Sequence, residues 1–290
     1  MNWQSPFIVD LIKRALEEDI WTGDITTEAT IPEERQAVAR VWTKVDGVIA
    51  GLPLFKQVFL QVDPTLQVEL LVGDGFVATA GTTLAHISGS ARSILQAERV
   101  ALNFLQRLSG IATRTSRLAE AIKFYQARIV DTRKTTPGLR MLEKYAVRMG
   151  GGYNHRFGLY DAVLIKDNHI AVAGGIKEAV TAVRRRIGHT TKIEVEVETL
   201  EQLCEALESR ADIIMLDNMS IDTMKEAVKQ AHGKAILEAS GGISEENIVE
   251  VAKTGVDYIS VGAITHSVRA LDISLDIALE QQPLEQEENE

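Results

Sequence analysis

Cysteine is nearly absent from this chain: Cys204 is the single one in 290 residues. That excludes an intrachain disulfide and any multi-thiolate metal site, and it fits a reducing compartment, with Cys204 read as a buried structural thiol. Long apolar runs are missing as well. No stretch approaches the roughly 20 residues of a membrane span, and residues 1–19 lack the basic start and unbroken apolar core of a signal peptide, so a cytoplasmic protein is expected. Basic residues are in deficit, 31 Lys and Arg against 41 Asp and Glu for a net charge of −10. An acidic balance of that size disfavours nonspecific binding to nucleic acid. Residues 280–290 hold five glutamates and no basic residue, which reads as a solvated tail.

What the chain does have is a local concentration of positive charge. Between Asp131 and Ile170 lie seven Arg and Lys against four Asp and Glu. Cations packed this closely repel one another unless carboxylates or a bound anion compensate, so the block implies a site for a ligand with several negative charges.

With 45% hydrophobic residues, the chain is long enough for one large α/β domain and a smaller one. From about Arg128 onward, six short runs rich in Val and Ile alternate with segments of helical period, the pattern of βα units and a parallel sheet. The runs are 128–131, 162–166, 192–197, 212–216, 234–239 and 258–261. Right-handed crossovers curl such strands into a barrel-like wall, and six strands predict an incomplete barrel. Residues 1–115 read differently. A helix over 7–18 precedes strand-like stretches at 37–44, 66–71 and 83–87, and a long helix follows with Ile94, Ala97, Ala101, Leu102, Leu105 and Leu108 on one stripe.

Nearly every run in the second part ends on polar or charged residues, and in βα barrels the carboxyl ends of the strands share one ligand-binding face. Arg133 and Lys134 follow the first run, and His155-Arg156 follows a Gly150-Gly-Gly152 loop. Glu194, Glu196 and Glu198 alternate with apolar residues, so one face of the strand carries all three. Asp217 ends the neighbouring run. Carboxylates alone suit magnesium, with structural ion pairs as the alternative reading of any one of them. Ser240-Gly241-Gly242 and Gly262 close the last two runs in the manner of a phosphate clamp. Lys144 and Arg148, at i and i+4, read as a solvated helix face, and both, with Arg140, are left out of the site.

Taken together, Asp131-Thr-Arg-Lys-Thr-Thr-Pro-Gly138, Gly150-Gly-Gly-Tyr-Asn-His-Arg156, Leu164-Ile-Lys-Asp-Asn-His169, Glu194-Val-Glu196, Leu216-Asp-Asn218 and Glu238-Ala-Ser-Gly-Gly242 resemble the quinolinate phosphoribosyltransferases. The resemblance extends upstream to Glu18–Asp24 and Glu98–Asn103. It implies an N-terminal α/β sandwich (residues 1–115), an open α/β barrel of about six parallel strands (116–270), and a C-terminal helix returning to the first domain before an acidic tail (271–290). The implied reaction joins quinolinate to phosphoribosyl diphosphate with magnesium, releasing carbon dioxide and diphosphate. By the same resemblance, Arg133, His155 and Arg156 grip the quinolinate carboxylates, helped by Arg99 from the second subunit of a homodimer. Lys134 and Lys166 meet diphosphate and substrate charge. Glu196 and Asp217 address the ribose and the magnesium ion, and Ser240, Gly241, Gly242 and Gly262 hold the 5-phosphate. Two rivals remain at this point. One is a nicotinate phosphoribosyltransferase or other relative on the same scaffold, the other a noncatalytic phosphosugar-binding barrel.

Overall fold

The computed structural model describes residues 1–279 and divides into two compact units, Met1–Thr113 with the chain from Val268, and Arg114–Ser267. Among the described residues no helix is long and apolar enough to cross a membrane.

In the first unit, α1 (Pro6–Ile20) and α2 (Ile25–Thr30) precede β1 (Gln36–Thr43), the short β2 (Gly47–Val48), α3 (Leu52–Val62), β3 (Gln67–Leu70), the short β4 (Val77–Ala78) and β5 (Thr83–Ser90). The long helix α4 (Ala91–Ala121) then begins. Proline suits the first turn of α1 because that position has no helical N–H to lose, and Ile8, Ile12 and Leu16 recur at helical spacing to bury one stripe. The six apolar positions predicted on α4 are all buried. Helix α3 buries Phe55 and Phe59, whose rings meet at 4.9 Å.

The second unit is built from β6 (Arg128–Val130), α5 (Arg140–Met149), β7 (Val163–Ile165), α6 (Asp167–Ala173), α7 (Ile176–Arg184), β8 (Ile193–Val197), α8 (Leu200–Glu208), β9 (Ile213–Asp217), α9 (Ile221–Ala231), β10 (Ile236–Ser240), α10 (Ile248–Ala252), β11 (Tyr258–Ser260) and α11 (Ala263–His266). All six runs read from the sequence form strands. They pair in parallel in the order β6-β11-β10-β9-β8-β7. This is the cyclic order of an α/β barrel with one seam left unpaired, between β6 and β7. The wall is curved, since residues from β7 and β11, at nearly opposite ends of the order, line one cavity.

The last described element, β12 (Ile273–Leu279), belongs to the first unit, whose sheet runs β12-β1-β5-β3. It pairs antiparallel with β1 from Thr43↔Ile273 to Ala37↔Leu279. A helix was expected here, and the segment is a strand because Ile273, Leu275, Ile277 and Leu279 alternate with Ser, Asp and Ala at a period of two. The acidic tail lies outside the described residues. Cys204 corrects another expectation, because it is exposed. Helix α8 buries Leu203 and Ala206, which places Cys204 off the apolar stripe.

Candidate active site

Strand periodicity builds the site. Leu164 on β7 and Lys166 just past its end, Glu194 and Glu196 on β8, Met215 and Asp217 on β9, and Glu238 and Ser240 on β10 are each separated by two residues, so each pair follows one strand face. The register sets them side by side: Leu164 pairs with Glu194, Glu196 with Met215, and Asp217 with Ser240. Arg133, Lys134, His155, Arg156, Lys166, Glu196, Asp217, Glu238 and Ser240 all line a single cavity of about 420 Å³. A neighbouring cavity of about 460 Å³ is walled mainly by apolar side chains such as Val163, Val172 and Val183, with Arg156 and His169 as its charged or polar side chains.

Three acids predicted for one strand face meet three fates. Glu194 is buried, with Oε2 2.9 Å from Nε2 of His155. Glu196 is half-buried and ion-paired with Lys166, just past the end of the adjacent strand β7. Glu198 lies past the strand end and is exposed.

The loops that carry the cations are held from behind. Asp131, fully buried at the end of β6, accepts from Lys144 Nζ, from Asn154 Nδ2 at 2.7 Å and from the His155 N–H at 2.9 Å. Lys144 also donates to the His155 carbonyl at 3.0 Å. Burial pushes Asp131 up and Lys144 down, and each shift is opposed by the charge of the other. Arg140 ties the two loops together, donating to Thr135 Oγ1 at 2.9 Å, the Arg133 carbonyl at 3.2 Å and the Phe157 carbonyl at 3.1 Å. Arg148 donates to the Gly152 carbonyl at 3.2 Å and stacks 4.8 Å from the Tyr153 ring. The solvated face expected for Lys144 and Arg148 is thus corrected for Lys144, which is buried, while Arg148 is exposed as expected; all three cations nevertheless brace the binding loops. Lys144 is 2% exposed, because a buried carboxylate beside it holds its charge.

Arg156 donates to the Ala162 carbonyl at 3.1 Å, yet its Nε and that of Arg133 are buried with no hydrogen-bond partner. Burial, and then the nearby positive charge of Arg133, push the Arg156 guanidinium down. Two neighbouring cations with unused donors call for an anion.

His155 is committed inward. Its Nδ1 accepts the Arg156 backbone N–H at 2.7 Å, so the proton sits on Nε2, facing Glu194. Burial lowers its pKa, but the hydrogen bond to Glu194 and the charges of Glu238 and Glu194 outweigh that and raise it. A doubly protonated ring would still set two N–H groups against each other at Nδ1, so the geometry holds the neutral Nε2–H form. Sequence reasoning passed over Glu238 as a cavity residue, although its strand parity with Ser240 was the available signal.

Beyond β10, Gly241 takes φ 88° and Gly242 φ 61°. A Cβ on Gly241 would lie 2.1 Å from Asn218 Oδ1 and 2.9 Å from the Asn218 nitrogen. Glycine is therefore required there by both conformation and space. Gly241→Ala is expected to cost at least about 2 kcal/mol, and an unchanged midpoint in denaturant unfolding would contradict this. Gly262 follows β11, where a Cβ would press on Lys134 Cδ at 3.1 Å. Arg99 is on α4 in the first unit, its side chain 57% exposed and 3.5 Å from Glu98, and it is not among the residues lining the cavity.

Strand ends that gather cations and carboxylates around one cavity define an α/β-barrel enzyme acting on a polyanionic small molecule. Residues 24–109 match the N-terminal domain, and residues 111–276 the C-terminal domain, of quinolinate phosphoribosyl transferase. A protein of Bacillus subtilis described as a probable nicotinate-nucleotide pyrophosphorylase (carboxylating) is 48% identical over 276 residues, 95% of each chain. The crystal structure of NadC from Streptococcus pyogenes superposes with a TM-score of 0.91 at 43% identity, covering 95% of this chain and 98% of that one. The human nicotinic acid phosphoribosyltransferase structure, at 13% identity and a TM-score of 0.63 over 95% of this chain and 75% of that one, shares the fold alone. This chain belongs to the quinolinate phosphoribosyltransferase family.

Proposed function

We propose that the protein transfers a phosphoribosyl group from phosphoribosyl diphosphate to quinolinate with decarboxylation, yielding nicotinate mononucleotide, carbon dioxide and diphosphate in de novo NAD biosynthesis. It is a pentosyltransferase. The observation that carries this reading is the cavity in which two half-buried arginines, each with a buried and unused Nε donor, face Lys134, Lys166, Glu196 and Asp217. A planar dicarboxylate satisfies paired guanidiniums in a way that a monocarboxylate does not.

Breaking the bond from ribose C1 to diphosphate develops positive charge on the sugar and negative charge on the leaving group. Glu196 and Asp217 face the first, Lys134 and Lys166 the second, so both halves of the transition state meet fixed opposite charge. Arg133 and Arg156 orient the pyridine with its nitrogen toward C1. His155, with both ring nitrogens occupied, supports this grip through the backbone of Arg156 rather than by donating a ring N–H to the carboxylates. Ser240 and the glycines after β10 and β11 receive the 5-phosphate in this reading.

Magnesium favours a few carboxylate oxygens together with waters and substrate phosphates. Glu196 and Asp217, on adjacent strands at the barrel's ligand face, offer that donor set and would hold the ion. The His155, Glu194 and Glu238 cluster contains a nitrogen donor and suits magnesium less well. When bound, the ion supplies countercharge to the departing diphosphate. The exposure of Arg99 supports its delivery to the cavity of a second subunit in a homodimer. An inactive Arg99→Ala chain mixed with an inactive Glu196→Gln chain is then expected to regain activity, and no recovery in mixed dimers refutes the shared site. A cytoplasmic location belongs to the same reading.

The decisive assay supplies quinolinate, phosphoribosyl diphosphate and magnesium and follows nicotinate mononucleotide and carbon dioxide, with loss of turnover expected on chelation of the metal. Preference for nicotinate, or product without carbon dioxide, would defeat the assignment. Binding without turnover would favour the noncatalytic reading.

A further inference from the structure

Decarboxylation leaves an electron pair on a ring carbon, and that carbon must gain a proton before product is complete. The inference therefore rests on the transfer to quinolinate proposed above. Few groups in the cavity have a proton to spare. Lys166 is held against Glu196. His155 has its Nδ1 occupied by the Arg156 N–H and directs its Nε2 proton to Glu194.

Glu238 is different. It lines the cavity, is only 4% exposed, and its Oε1 has no hydrogen-bond partner, lying 3.7 Å from His155 Nε2. The groups around it come from every neighbouring element: Glu194 from β8, Met215 from β9, Ser260 from β11, Asp131 at the end of β6, and His155 from the loop beyond. Burial first, and then the charge of Glu194, push Glu238 up to about 8. It is a neutral acid at neutral pH, because two ionised carboxylates are not both compensated by one imidazole.

A metal ion is the competing occupant, since His155, Glu194 and Glu238 bring ligand atoms within 4.8 Å of one another. The histidine argues against it. Ligation through Nε2 would move the ring proton to Nδ1, where the Arg156 N–H already points.

We propose that Glu238 is the general acid that protonates the ring carbon as carbon dioxide leaves. The O–H bond of Glu238 breaks, its proton joins the electron pair left on carbon to form the new C–H bond, and the O–H electrons remain on Glu238 as carboxylate. Water returns the proton before the next turnover.

The test is the pH profile of kcat with quinolinate and phosphoribosyl diphosphate for wild type, Glu238→Gln and Glu238→Asp. Wild-type kcat is expected to decline above about pH 8. Glu238→Gln keeps the shape of the protonated acid without its acidity. Its kcat should fall about a hundredfold with little change in the KM for quinolinate, and the alkaline decline should vanish. Glu238→Asp should restore part of the rate together with the decline. A Glu238→Gln kcat within about threefold of wild type, or a wild-type profile flat through the alkaline range, would overturn the proposal. The wild-type profile decides the matter should the glutamine variant fail to fold. Wild-type protein that releases no carbon dioxide from quinolinate refutes the functional reading itself, before any variant is made.

Discussion

Arg133→Ala is expected to lower kcat/KM for quinolinate by roughly 30- to 1,000-fold, the equivalent of about 2 to 4 kcal/mol for truncating a desolvated, charge-assisted contact. The magnitude follows from position. The Arg133 Nε is buried without a partner in the protein, so its hydrogen-bonding capacity is reserved for the ligand. Its backbone is fixed independently by Arg140 through the carbonyl at 3.2 Å, which means that removing the side chain should leave the loop in place. The loss should appear mainly with the dicarboxylate, while the KM for phosphoribosyl diphosphate changes little. A kcat/KM within about twofold of wild type would remove Arg133 from the substrate site.

Lys144→Met is expected to have the largest effect on stability, about 3 to 5 kcal/mol, because it leaves Asp131 buried and charged without its cation. Asp131 is fully buried and has no route to solvent compensation. For a unit of this size the thermal midpoint should fall by on the order of 10 °C. Replacing both partners, Asp131→Asn with Lys144→Met, should recover part of the loss, since an amide is cheaper to bury than a lone carboxylate. Scanning calorimetry distinguishes the outcomes: equal midpoints for wild type and Lys144→Met would return Lys144 to the solvated face on which its sequence spacing first put it. Activity should fall with stability, because the same lysine holds the His155 carbonyl.

These two residues mark where the sequence was legible and where it was not. Arg133 could be read from its neighbours: a cation after a β run, beside another cation, in an acidic chain. Short apolar runs alternating with helical-period segments identified all six barrel strands, and period-two alternation put Glu194 and Glu196 on a common face. It left their different depths undetermined, because depth depends on how far each strand extends before the wall opens, and Glu198 had already left the sheet. Lys144 was misread because a buried ion pair has the same local pattern as a surface one. Only the fold brings Asp131, thirteen residues away, beneath it. Glu238 shares this problem, since a lone acid before a glycine turn shows no sign of the histidine that will face it. The terminal strand failed for another reason. Its alternating residues were present, but its partner β1 lies more than two hundred residues upstream, and local reading does not see such pairing.

That pairing sets an order of events during synthesis. Strand β1 leaves the ribosome before the barrel does, yet one of its two hydrogen-bonding edges is occupied by β12, which is translated only after the barrel. Until then the nascent first unit carries a bare sheet edge through the whole time the barrel is being made. A chain truncated before Ile273 would keep that edge open permanently, and self-association of the fragment is its natural fate.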